Sequence, residues 1–79
     1  MTNGDCARNL IGQNVRRLRR KHGWTQAELA SKLRLLGCYM TRDMIDGIET
    51  RRSYATDIQT QYFAECFGIE IDKLFQKSD

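Results

Sequence analysis

The chain has 79 residues, with 13 Lys and Arg against 10 Asp and Glu for a formal net charge of +3, and no proline. A chain of this length makes one domain near the lower size at which a core holds unaided, so its apolar positions are expected to be committed to packing, with little left to enclose an active site. No apolar run approaches membrane-spanning length and the N-terminus lacks the charged-then-apolar layout of a signal peptide, so a cytoplasmic protein without membrane contact is expected.

In chain order, residues 1–9 carry no strong pattern and are expected to be a flexible N-terminal segment. Ile11, Val15 and Leu18 then recur at helical spacing, which predicts a first helix over about residues 10–22, stopped by Gly23. Thr25 and Glu28 form a capping box, with Trp24 and Leu29 as a hydrophobic staple across the helix start. The second helix is therefore expected from Gln26 to about residue 36, with Ala30 and Leu33 inward. Gly37 suits a left-handed turn out of it. Thr41 repeats the cap, with Met40 and Ile45 as staple and Asp43 beside the positive helix end. The third helix is expected over about residues 42–50, with Ile45 and Ile48 buried and Arg42, Asp43, Asp46 and Gly47 turned outward. A polar link over residues 51–56 leads to Asp57, read as the start of a fourth helix. Ile58, Phe63, Ala64 and Phe67 are taken as its apolar side, and Gly68 as its end. Ile71, Leu74 and Phe75 imply a last short helix before a tail at 77–79.

The fold class expected is thus all-α, a compact five-helix domain over residues 10–76 with no strand. The second and third helices are separated by so brief a turn that they must cross, and a crossed pair surrounded by arginines is a helix-turn-helix arrangement. Charge favours the same half. Residues 1–52 hold 11 basic and 5 acidic groups, a net +6, whereas residues 53–79 hold 2 and 5, a net −3. Phosphate neutralisation supplies much of DNA affinity, so a basic half makes nucleic acid the first partner to test. The run from Arg16 to Lys21 alone is an equally good solvated helix face.

Cys6, Cys38 and Cys66 are far apart, and His22 is the single histidine. A structural zinc site takes four ligands, so neither a metal nor any other cofactor is expected. The thiols are read as reduced, with Cys66 in or near the core and the others partly exposed. No constellation of nucleophile, base and oxyanion donors is visible, nor a phosphate-cradling glycine loop, so an enzyme is not expected.

Thr25-Gln26-Ala27-Glu28-Leu29-Ala30, then Ile48-Glu49, Thr56-Asp57 and Ala64-Glu65-Cys66-Phe67-Gly68-Ile69, with Leu74-Phe75 closing, resemble the phage repressor and Cro-type (XRE-like, lambda-repressor-like) helix-turn-helix family. The resemblance covers residues 10–76. The segment from Leu33 to Thr41 is longer than the family's usual connection and is similar to a subgroup with a lengthened second helix or turn. The resemblance implies a transcriptional regulator that binds double-stranded DNA as a homodimer on inverted half-sites, with its third helix in the major groove; no small-molecule ligand is expected, because no ligand-sensing domain fits in this length. It assigns Arg42, Asp43, Asp46 and Gly47 to base contact, and Gln26, Thr50, Arg51 and Arg52 to phosphates; Arg17 is added as a phosphate contact on charge alone. Arg19 and Glu49 become the ion pair that ties the first helix to the end of the third.

The sequence departs from the family where bases would be read. Asp43 and Asp46 bring negative charge toward phosphates and Gly47 has no side chain, which leaves Arg42 as the reader of a guanine edge. Asp43 is either an acceptor from cytosine N4 or simply a first-turn helix acid. Arg51 stands where the family has glycine, and Gln61 where it is apolar. A second function class is therefore carried alongside the first: a helix-turn-helix module used for protein contact, antirepressor or antitoxin-like, with an acidic third helix facing a basic partner. For the dimer, Leu74, Phe75 and the exposed end of the fourth helix are the expected surface, with the lid of the monomer core as the other role open to Leu74 and Phe75.

Overall fold

Threonine caps set the helix boundaries. In the computed structural model, which describes residues 4–76 and side chains from Leu10 onward, four α-helices follow one another: α1 Gly4–Lys21, α2 Gln26–Leu35, α3 Arg42–Glu49 and α4 Asp57–Phe67. A 3-10 segment, Ile71–Phe75, closes the chain, and no strand occurs among the described residues. Thr25 and Glu28 exchange side-chain to backbone bonds of 3.0 and 2.8 Å at the start of α2. The Thr41 hydroxyl accepts from the Met44 N–H at 3.1 Å to open α3. For α4 the cap is Thr56, in a second capping box with Gln59. Asp57 is its first helical residue.

The expected left-handed stops are present at Gly23 (φ +75°), Gly37 (+101°) and Gly68 (+70°). α1 begins at Gly4, ahead of the start expected near residue 10, because no large apolar residue stands between Gly4 and Leu10 to mark the earlier turns. Residues 1–3 and 77–79, and the Cys6 side chain, lie outside what is described. The last helix is a five-residue 3-10 segment. Its N-cap, Glu70, makes no side-chain capping bond, and its end is held from outside, where buried Asn14 of α1 donates to the carbonyls of Leu74 (2.8 Å) and Gln76 (2.7 Å).

Val15, Leu29, Leu33, Met40, Ile45, Phe63 and Leu74 form the fully buried centre of the core. α1 packs directly on α3, where a Cβ placed on Gly12 would collide with the Ile48 carbonyl. Gly12 is therefore a crossing point of two backbones, which periodicity did not mark. Two placements, Ile58 and Cys38, differ from expectation, and for Leu74 the structure decides between the two roles left open. Ile58 is 65% exposed, because the inward stripe of α4 is Thr60, Phe63, Ala64 and Phe67 and Ile58 lies on the opposite side of the helix. Cys38 is buried, drawn in by its N–H bond to the Leu33 carbonyl (2.9 Å) that closes the turn at Gly37. Leu74 is a lid of the core and not a surface residue, while Phe75 is half-exposed. Burial pushes the Cys38 thiol up from its ordinary pKa, and does the same for half-buried Cys66. Both are held in the protonated form. No helix among the described residues is long and apolar enough to cross a membrane.

Candidate nucleic-acid interface

The Thr41 cap leaves Arg42 and Asp43 as the first two helical residues of α3, and both side chains are exposed. Arg42 makes no hydrogen bond or ion pair among the described residues, although its charge reaches Asp46. It is a free guanidinium at the start of a helix.

Behind it runs a chain of polar contacts. The Arg19 guanidinium grips Glu49 through two oxygens, Nε to Oε2 at 2.7 Å and Nη2 to Oε1 at 3.0 Å, and donates Nη1 to the Trp24 carbonyl at 2.8 Å. The side chains of this pair are 11% and 1% exposed. Hydrogen bonding to Glu49 raises the Arg19 pKa further, against the opposing effect of burial. Gln26 continues the chain, its Nε2 donating to Glu49 Oε1 at 3.2 Å and to Asp46 Oδ1 at 3.1 Å. Arg52 completes it, with Nη2 2.6 Å from Asp46 Oδ2 and Nε donating to the Thr50 hydroxyl at 3.2 Å. The Gln26 bond, then the Arg52 bond, lowers the Asp46 pKa below the usual carboxylate value. The acid expected to oppose phosphates on α3 is thus neutralised within the protein, and the Gln26 amide is engaged between two carboxylates.

Gly47 is not turned outward but buried. The loop after α3 folds back over it, Arg52 N–H and Ser53 N–H both donating to the Gly47 carbonyl at 2.8 and 3.1 Å. A Cβ there would stand 2.9 Å from Ser53 Oγ, tighter than ordinary contact. The glycine admits the loop and has no reach toward a base. To make this return Arg51 adopts φ +66°, a left-handed conformation that costs a non-glycine residue about 1 to 2 kcal/mol.

That turn brings Arg51 to a wide, open groove of about 760 Å³ between α1 and the end of α3. Arg16, Arg17, Arg20 and Arg51 line it with Gln13, Glu49 and Thr50. Its one carboxylate, Glu49, is already satisfied by Arg19 and Gln26, so among the described residues the four exposed guanidinium groups have no acid in an ion pair with them. Arg17 Nη2 makes a long 3.3 Å bond to Asn14 Oδ1, which leaves the rest of its fork open. Planar forks of this kind bind phosphate oxygens in pairs. Gln13 was not singled out from the sequence, and Arg16 and Arg20 were read only as part of the basic run from Arg16 to Lys21, although 13, 16, 17 and 20 are the spacing of one helix face.

The expected residues thus fall into groups: Arg17, Thr50 and Arg51 at the groove; Arg52, Asp46, Gln26, Glu49 and Arg19 in the polar chain; Arg42 and Asp43 on the first turn of α3; and Gly47 under the loop. Among the described residues no three His, Cys, Asp or Glu side chains cluster so as to hold a metal ion. Compared with known proteins, the chain matches no family model, no curated protein and no solved structure.

Proposed function

We propose that this protein is a DNA-binding transcriptional regulator of the phage repressor and Cro type, cytoplasmic and without enzymatic activity. In this reading α2 and α3 are the helix-turn-helix, and the protein binds inverted half-sites of double-stranded DNA as a homodimer. The observation that carries the reading is the groove of Arg16, Arg17, Arg20 and Arg51, whose single carboxylate is consumed inside the fold. A row of unopposed guanidinium groups is what a phosphate backbone requires. α3 enters the major groove beside it, Arg42 reads a guanine through O6 and N7, and Asp43 takes a cytosine amino group or simply caps the helix charge. Pairing of Asp46 with Arg52 removes most of the repulsion that a bare acid would bring to that approach.

The second reading, a helix-turn-helix module used for protein contact, draws on the exposed Leu35 and Ile58 and on Asp43 at the open end of α3. A mobility shift with random-sequence and genomic fragments at two salt concentrations separates the two. Regulation through DNA predicts a shift on both at low salt, with preferred fragments surviving at higher salt. Absence of any shift at low salt rules it out.

A further inference from the structure

The Asp46 carboxylate is held by donors from two separate elements, one to each oxygen. Gln26, the first residue of α2, places Nε2 3.1 Å from Oδ1, and Arg52, in the loop after α3, places Nη2 2.6 Å from Oδ2. Arg42, one turn earlier on α3, adds its charge without a bond. Two donors that take one oxygen each beside a further cation form a cradle for a two-oxygen anion, and a phosphate presents the same pair of oxygens.

Neither donor depends on that carboxylate for its position. Gln26 Nε2 also donates to Glu49 Oε1 at 3.2 Å, and Glu49 is itself fixed by Arg19. Arg52 Nε donates to the Thr50 hydroxyl at 3.2 Å, and that hydroxyl donates to the backbone carbonyl of Asp46 at 2.8 Å. The carboxylate can therefore leave while both donors stay aimed at the same place. It is also within reach of an outside anion, since the Asp46 and Arg52 side chains are 41% and 66% exposed. An exposed pair of this kind favours its own contact by no more than a factor of about five. Glu49 and Thr50 line the basic groove as well, so the cradle adjoins it.

We infer that Asp46 is an internal competitor for phosphate: in the free chain its carboxylate fills a two-donor site made by Gln26 and Arg52, and it must be displaced before a phosphate binds there. Loss of Asp46 therefore strengthens phosphate binding instead of merely sparing it. As a brake on the DNA backbone this rests on the proposed function, whereas the site itself is tested without DNA.

The test titrates the purified chain with inorganic phosphate at fixed pH and ionic strength, following the Gln26 side-chain amide and the Arg52 Nε–H by NMR. In Asp46→Ala both signals should move together along a saturating curve, at phosphate concentrations lower than in the parent by up to about fivefold. Asp46→Asn, which keeps the shape of the side chain, should shift the curve in the same direction. Asp43→Ala removes the same charge from the same helix, at a side chain with no hydrogen bond or ion pair among the described residues, and should follow the parent. Signals in Asp46→Ala that do not saturate, or that respond no more readily than in the parent, would overturn the inference. So would an equal shift of the curve in Asp43→Ala, which would make the effect one of net charge. The same variants on random-sequence DNA keep the two readings apart: a parent that binds no DNA sinks the proposed function and leaves the phosphate curves to stand, while a parent that binds DNA with coincident phosphate curves sinks this inference alone.

Discussion

Two ion pairs hold carboxylates of α3, and they are almost equal in length: 2.7 Å for Arg19 with Glu49 and 2.6 Å for Arg52 with Asp46. Their surroundings differ. Glu49 is 1% exposed and bound by three donors, whereas Asp46 and Arg52 are 41% and 66% exposed. Distance alone would rank them together. Solvent separates them, because a buried charge cannot lose its partner cheaply and an exposed one can. The inner pair fixes how α1 crosses α3. The outer pair screens the carboxylate on the exposed side of α3. The Gln26 amide joins the two, so the orientation of α2 on α3 is tied to both.

The largest effect expected from this contrast is on stability. Glu49→Ala strands the Arg19 guanidinium in a nearly closed site and should cost about 3 to 5 kcal/mol, a large part of what a domain this small has to lose. Thermal unfolding reads it directly, and a variant that melts like the parent would make the two pairs equivalent. Gly12→Ala should destabilise by about 1 to 3 kcal/mol through overpacking against the Ile48 carbonyl. Since that contact is backbone to backbone, the α1 to α3 crossing must shift, and DNA affinity should fall in proportion to unfolding.

Binding effects come next. Arg42→Ala should lose about 1 to 3 kcal/mol on a preferred site and much less on random DNA. Arg52→Ala should change the folding free energy by no more than about 1 kcal/mol, yet weaken all sequences alike, because it both removes a cation and uncovers Asp46. Equal loss of discrimination in the two variants would refute the separate roles. The smallest effect is with pH. The Asp46 carboxyl is held below its unfolded value by the Gln26 and Arg52 bonds, so its contribution to stability is present above the unfolded pKa, about 3.9, and is lost as pH falls through the native value. Acid titration of the melting temperature should therefore be slightly shallower for Asp46→Asn than for the parent.

The starts of α2, α3 and α4 and the glycine stops were legible because each is a local event, whereas the start of α1 at Gly4 carries no such signal. Thr25 with Glu28, Thr41 with the Met44 N–H, and the left-handed glycines 23, 37 and 68 are determined by residues at most four positions apart. The Arg19 and Glu49 pair was available through family resemblance, not through spacing, since 30 residues separate them. What could not be read is what depends on elements meeting in space. Gly12 and Gly47 look alike as glycines inside helices, yet one admits the α3 backbone and the other the loop at Ser53. Asn14 looks like an ordinary polar helix residue until it holds the carbonyls of Leu74 and Gln76. Ile58 was misplaced because one apolar residue at a helix start fits either face; the run of Thr60, Phe63, Ala64 and Phe67 decides it. The pairing of Asp46 with Arg52 could have been anticipated from neither residue alone, because the loop must first fold back over Gly47.

The central claim is that the groove between α1 and the end of α3 holds the DNA backbone. Its most direct test is the slope of log affinity against log salt for the parent and for the Arg16→Ala, Arg51→Ala double variant, on the same DNA. The parent should show a steep negative slope, and loss of two phosphate contacts should make it shallower by about 1.8, at about 0.9 per phosphate, with the preference among sequences unchanged. A parent slope near zero, or a double variant with the parent's slope, would contradict the account.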